Sequence, residues 1–123
     1  MKRLLPLIFA PFLALANSAW ADTRLYMAEE DGCMWCARWH EEIGNIYPKT
    51  VEGRTAPLQS YDLHNETLDK VTLKTSVHFT PTFILVADGQ EVGRLEGYPG
   101  EDFFWGLLGM MFRDANIPLD ETG

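Results

Sequence analysis

Hydrophobic and polar positions are patterned most sharply towards the C-terminal end of the chain. Residues 82–87 form a β-branched and aromatic run, Asp88-Gly89 follows, and residues 91–96 then alternate. A two-residue turn between paired strands needs backbone with positive φ, which Asp-Gly tolerates, so this segment is expected to be a β-hairpin. Residues 24–28 alternate weakly and are short enough for a buried strand, and residues 58–63 read as another. Between them, Trp35, Trp39, Ile43 and Ile46 recur at helical spacing from Cys33 to about Tyr47, with Gly44 weakening the helix and Pro48 ending it. Residues 48–57 read as a loop. Residues 66–76 fit a short helix with Asn65 as its N-cap. Residues 103–112 are apolar enough to cover a sheet face. Glu101 and Asp102 suit the start of that helix, and Arg113, Asn116 and Pro118 its end. The expected order is strand, helix, strand, helix, hairpin, helix, which describes one α/β domain.

The N-terminal stretch breaks this pattern. Lys2 and Arg3 precede an apolar run, Leu4 to Ala16, that is short for a bilayer span, and Ala19-Trp20-Ala21 offers small residues for a signal peptidase. Residues 1–21 are therefore expected to be a cleaved signal peptide and 22–123 the mature domain, in the periplasm or secreted. Removing 21 of 123 residues leaves 102, enough for one modest core. Losing Lys2 and Arg3 takes the net charge from −8 to −10. So acidic a chain is repelled by phosphate backbones, which argues against nucleic-acid binding, and it suits a soluble protein facing a basic partner patch.

The candidate chemistry is concentrated in Asp31-Gly32-Cys33-Met34-Trp35-Cys36, which holds the two cysteines of the chain. At a helix N-terminus Cys33 has unpaired N–H groups and the positive end of the helix dipole beside it, which favours a thiolate; Cys36 lies one turn on, placed to close a ring. A structural disulfide and half of a metal site are the competing readings. His40 lies at i+4 from Cys36, and Cys33, Cys36 and His40 together are a donor set suited to Cu(I) or Zn(II), but a fourth protein ligand is missing. His64 and His78 read as surface or strand-end residues.

This order of elements, with Cys33-Met34-Trp35-Cys36 and Phe79-Thr80-Pro81-Thr82-Phe83, resembles the thioredoxin superfamily over nearly all of residues 24–115. The resemblance implies a minimal thioredoxin fold, a mixed four-stranded sheet flanked by helices in the order β-α-β-α-β-β-α. It also implies that Cys33 is the nucleophile, Cys36 the resolving cysteine, Thr80-Pro81 a cis peptide bond facing the dithiol, and the backbone of Thr80 a docking edge for substrate. Met34 and Trp35 between the cysteines, and Gly97 after the hairpin, complete the substrate-facing set. Arg38-Trp39-His40-Glu41-Glu42-Ile43-Gly44 and the run from Glu96 to Trp105 are similar to the periplasmic SoxS-type thioredoxins of sulfur-oxidation gene clusters. That narrower likeness implies a sulfur-carrier protein with an exposed cysteine as substrate and a membrane electron transporter as electron donor.

The expected activity is thus thiol-disulfide oxidoreduction by an exported monomer, in the direction of substrate reduction, with no cofactor beyond the Cys33–Cys36 disulfide and no metal. The alternative is a copper- or zinc-binding module using Cys33, Cys36 and His40. One departure from the family stands out. The buried aspartate that serves thioredoxin as a proton acceptor should fall near Met27, so Glu29, Glu30, Asp31 or His40 must take over any acid–base role.

Overall fold

The computed structural model describes residues 2–11 and 22–121. Most of the expected signal peptide, including its cleavage site, lies outside the described residues. Strand β1 (Thr23–Glu29) leads into helix α1 (Met34–Trp39), which continues as a π-helical turn (His40–Gly44) and a 3₁₀ turn (Tyr47–Lys49) before helix α2 (Val51–Thr55). Strand β2 (Leu58–Asp62), the hairpin strands β3 (Thr82–Ala87) and β4 (Gln90–Glu96), and helix α3 (Glu101–Asp114) complete the chain. The sheet order is β2-β1-β3-β4, with β1 parallel to β2 and antiparallel to β3. This is the mixed four-stranded sheet expected.

Side chains of the two inner strands alternate between two cores, as the period of two in a strand requires. Leu25 and Met27 of β1 and Phe83 and Leu85 of β3 join Trp39, Ile43, Tyr47, Phe104, Leu108 and Phe112 on the helix side. Tyr26, Ala28, Ile84 and Val86 face the other way with Tyr61. Ladder partners Leu25 and Leu85, and Met27 and Phe83, put apolar residues directly opposite each other. The hairpin turns at Asp88 and Gly89 with φ of 50° and 79°, as the Asp-Gly pair predicts.

Three expectations are corrected. The helix expected from Cys33 to Tyr47 ends at Gly44, with its last turn widened to the π form; of its apolar positions Trp39 and Ile43 are buried, Ile46 is exposed, and Trp35 is exposed as a substrate-facing residue should be. Residues 48–57, expected as a loop, carry the 3₁₀ turn and α2. A five-residue helix is too short to show a period, and its signal is local: Thr50 caps it by accepting from Gly53 N at 3.1 Å. Gly53 is required there because a Cβ would stand 1.9 Å from the Tyr47 carbonyl oxygen.

The third correction is the largest. Residues 66–76 form no helix, so the second helix of the chain precedes β2. Val71, Thr72 and Thr75 are β-branched and weak helix formers, and the segment's backbone finds its partners elsewhere. Thr72 N donates to Gly89 O (2.7 Å), Glu91 N to Thr72 O (3.1 Å) and Lys74 N to the Glu91 carboxylate (3.1 Å). Arg94 donates to the carbonyls of Thr75 and Ser76 at 2.8 and 3.1 Å. Asn65 is not an N-cap either; Asp62 instead accepts from the backbone N–H groups of His64 and Asn65. Leu68, Val71, Leu73 and Val77 still cover the second core, but from an irregular strap.

Candidate active site

Strand β1, largely buried and paired on both sides, delivers the chain to the site, and the turn after it sets the dithiol. Gly32 takes a φ of 77°, Cys33 N donates to Glu30 O at 3.3 Å, and Cys33 becomes the N-cap of α1. Its sulfur accepts from the backbone N–H of Cys36 at 3.1 Å, which is the bond a thiolate would strengthen. Cys33 and Cys36 are joined in a disulfide with a Cα–Cα distance of 5.2 Å. Cys33 is partly exposed while Cys36 is 3% exposed and packed with the helix-side core. An outer and an inner sulfur are the placement that an attacking and a resolving cysteine need.

Around the disulfide, Met34 and Trp35 are exposed, at 79% and 53%, and so is Phe79 at 60%. Arg38 stacks its guanidinium over the Trp35 ring, 5.7 Å from the centroid. It also pairs with Glu42 at 3.1 Å, and Glu42 in turn accepts from the Tyr98 hydroxyl at 3.2 Å. This chain of contacts ties the tryptophan between the cysteines to the loop after β4. Burial, then the hydrogen bond to Glu42, pushes the Tyr98 hydroxyl up to about 12.

The Thr80-Pro81 bond is cis. The last β1–β3 ladder pair, Ala28 opposite Thr82, brings residues 79–81 beside the end of β1 and hence beside the dithiol turn. Pro81 O accepts from Gly97 N at 2.7 Å, so Pro81 and Gly97, expected in one site, do meet; Gly97 has a φ of 87°. Thr82 Oγ1 donates to Phe79 O at 2.6 Å and closes the loop on itself.

The four acid–base candidates differ in their contacts. Glu29 Oε1 meets His40 Nε2 at 2.7 Å, and both line an open cleft of about 430 Å³ with Glu30, Asp31, Cys33 and Cys36. Asp31 sits exposed at its rim. Glu30 is engaged on both oxygens, accepting from Thr80 Oγ1 and meeting His64 Nε2, each at 2.6 Å. The Thr80 hydroxyl, and after it His64, hold the Glu30 carboxyl below the usual carboxylate range, while Glu30 raises the His64 imidazole above its ordinary value. The backbone N–H groups of His64 and Asn65 lower Asp62 in the same way. Met27 is fully buried in the helix-side core, where a thioether has no proton chemistry to offer. Among the described residues no group of three His, Cys, Asp or Glu side chains could hold a metal ion, and His40 is committed to Glu29.

Sequence reasoning missed Glu30 as a bridge and gave Tyr98 no role; His64 is the exposed strand-end residue expected, and what was missed is its bond to Glu30. Fifty residues separate Glu30 from Thr80, and no local pattern couples them. The sole sequence signal for His64 is its place two residues after Asp62, a spacing that suits an Asx turn.

A mixed sheet whose inner strand ends at a Cys-x-x-Cys disulfide, with a cis-proline loop set beside it, defines the class, and the family model agrees: the chain belongs to the thioredoxin-like domain family, matched over residues 16–111. It is a thiol-disulfide oxidoreductase. Within that class it is similar to the periplasmic thioredoxin SoxS from Paracoccus pantotrophus, solved in its reduced form. Identity is 49%, over 76% of this chain and 98% of that one, with a TM-score of 0.73. Thioredoxin f2 of Chlamydomonas reinhardtii, at 13% identity and a TM-score of 0.54 over 76% of this chain and 82% of that one, shares the fold. No curated protein sequence matches the chain.

Proposed function

We propose that the protein is an exported, periplasmic reductase of protein disulfides and cysteine adducts, cleaved after residue 21 and acting as a monomer. The observation that carries this reading is the 49% identity to a periplasmic thioredoxin along almost the whole of that protein. In the reduced form the Cys33 thiolate attacks one sulfur of the substrate disulfide, forming a mixed disulfide and releasing the other sulfur as a thiolate. Cys36 then gives up its proton and attacks Cys33 Sγ, closing the Cys33–Cys36 bond and freeing the second substrate thiol. Two electrons pass to the substrate, and a membrane electron transporter restores the dithiol by the reverse exchange. The resemblance to SoxS supports a sulfur-carrier protein with an exposed cysteine as substrate. Met34, Trp35, Thr80, Pro81 and Gly97 form the surface on which it docks.

The direction of reduction is supported by charge. Glu29, Glu30 and Asp31 surround the approach to Cys33 and disfavour its thiolate, offsetting part of the stabilisation from the helix start. A thiol of this kind attacks well near neutral pH and leaves reluctantly. Equilibration with glutathione should place the dithiol on the thioredoxin side of the scale, on the order of −200 mV or lower. A value near that of the strong oxidant DsbA, about −120 mV, would overturn the reductase direction.

For the proton of Cys36, the acid–base pair in the cleft is Glu29 with His40, which line it together with Cys36 and take the place of the buried aspartate. His40→Gln should slow resolution of the mixed disulfide by roughly a hundredfold, the usual scale of one acid–base group, and slow its formation far less. Stopped-flow measurement of the two steps with a fluorescent peptide disulfide checks this, and equal slowing of both would remove His40 from the role.

A further inference from the structure

Glu30 occupies a position that the proposed chemistry leaves unexplained. Through its backbone it is joined to the attacking cysteine, because Cys33 N donates to Glu30 O at 3.3 Å. Through its side chain it is joined to the loop on which substrate docks, because Thr80 Oγ1 donates to Glu30 Oε1 at 2.6 Å. The β1–β3 ladder has ended two residues earlier, so this bond spans the gap where strand pairing no longer fixes the spacing. The other carboxylate oxygen meets His64 Nε2, which follows β2, again at 2.6 Å. One carboxylate therefore gathers three segments: the dithiol turn, the cis-proline loop and the end of β2.

We propose that Glu30 is a positioning residue for protein substrates: braced by His64, it holds the backbone of Thr80 in register with Cys33. This deepens the function proposed above and rests on its reading of Thr80 as a docking edge. A backbone edge that must pair with an extended segment while a sulfur is attacked nearby has to be placed within a fraction of an ångström. A hydroxyl on a loop achieves that only when its partner is itself fixed, and His64 does the fixing.

The brace depends on charge. Glu30 stays ionised to lower pH than a free carboxyl, and His64 carries its proton to higher pH than a free imidazole. The groups facing the pair are Glu29 and Asp31 on either side of Glu30, Asp62 at the end of β2, and Glu66, whose carboxylate accepts from Asp62 N. The charge of Asp62 favours the protonated imidazole and opposes ionisation of Glu30. A group with a raised folded value contributes fully below its unfolded value and loses that contribution as pH rises through the raised one. The brace is thus tightest on the acid side of the His64 titration and relaxes above it, where a charge-assisted hydrogen bond becomes a neutral one.

The test compares two substrates with the same leaving group on the reduced, purified protein. One is bis(2-hydroxyethyl) disulfide, which is too small to use the docking edge; the other is an uncharged peptide whose single cysteine carries a mercaptoethanol cap. The same Cys33 thiolate attacks both, so the peptide-to-small-disulfide rate ratio reads docking alone. Glu30→Ala should lower that ratio roughly tenfold, the worth of one well-made hydrogen bond. Glu30→Gln, which can still accept from Thr80, should restore most of it. Thr80→Val should match Glu30→Ala, and the double variant should be no worse than either. In the wild type the ratio should fall as pH rises through the His64 titration, and His64→Gln should flatten that fall. A ratio unchanged in Glu30→Ala, or lowered equally in Glu30→Gln, would overturn the inference. Wild-type protein that gains nothing from the peptide over the small disulfide would instead overturn the docking role of Thr80, and this inference with it.

Discussion

Cys36→Ser protein expressed in its native compartment should accumulate a mixed disulfide between Cys33 and its substrate, and Cys33→Ser should trap almost nothing. Turnover in both variants should fall by on the order of 10⁴–10⁶, the scale on which an enzyme loses activity when one member of its catalytic unit is removed. The asymmetry follows from placement. Cys33 caps the helix, is partly exposed, and has the Cys36 N–H aimed at its sulfur at 3.1 Å. Cys36 is 3% exposed and packed in the core, so a protein disulfide reaches it only through Cys33. Without Cys36 the first attack proceeds and resolution cannot. Non-reducing gels with mass spectrometry of the adduct give the answer. Equal trapping by the two variants would contradict the assigned roles. No adduct from either, with copper or zinc tightly retained by reduced wild-type protein, would favour the metal-binding alternative.

The second large effect lies far from the dithiol. Arg94→Ala should cost about 3–5 kcal/mol, the scale for breaking a buried ion pair, and lower the melting temperature by on the order of 15 °C. Glu91 is a charged residue inside the fold, 7% exposed. Its two oxygens receive Arg94 Nε and Nη2 at 3.0 and 2.7 Å, with Lys74 N at 3.1 Å on one of them. Removing Arg94 leaves that carboxylate buried with a single backbone donor. Removing Glu91 is milder, because the guanidinium keeps the carbonyls of Thr75 and Ser76. Thermal unfolding of both variants should therefore rank Arg94→Ala below Glu91→Ala, and a double replacement by methionine should recover much of the loss. The reverse ranking would mean that the pair is not what holds the strap.

These two effects mark how far the sequence can be read. The hairpin was legible because Asp88-Gly89 is a local device with a single geometric use, and the dithiol because Cys33 and Cys36 need only one helical turn to meet. The cis-proline loop was legible through Phe79-Thr80-Pro81-Thr82-Phe83 and its likeness to a known family. Residues 66–76 failed for a physical reason. Their apolar spacing is compatible with a helix, and what decides against one is Glu91 and Arg94, seventeen and more residues away, which offer the backbone better partners. The same limit hid Glu30. A carboxylate after a strand is ordinary in sequence, and only the β1–β3 register brings Thr80 to it. The absence of the buried aspartate was readable at Met27, whereas the pairing of Glu29 with His40 was not, because it joins a strand end to a π-helical turn that no periodicity announces.

Strand β2 stands at the margin of the sheet, and among the described residues no strand pairs with its outer side. An uncovered margin invites other chains to add themselves as further strands, which is the usual beginning of aggregation. Here the invitation is weak. β2 is five residues long, exposes Gln59 and Ser60, and runs straight into Asp62, Glu66 and the acidic end of β1. Two copies brought edge to edge would face like charges before any ladder could form. The carboxylates beside the dithiol thus also work against the pairing of two copies along this margin.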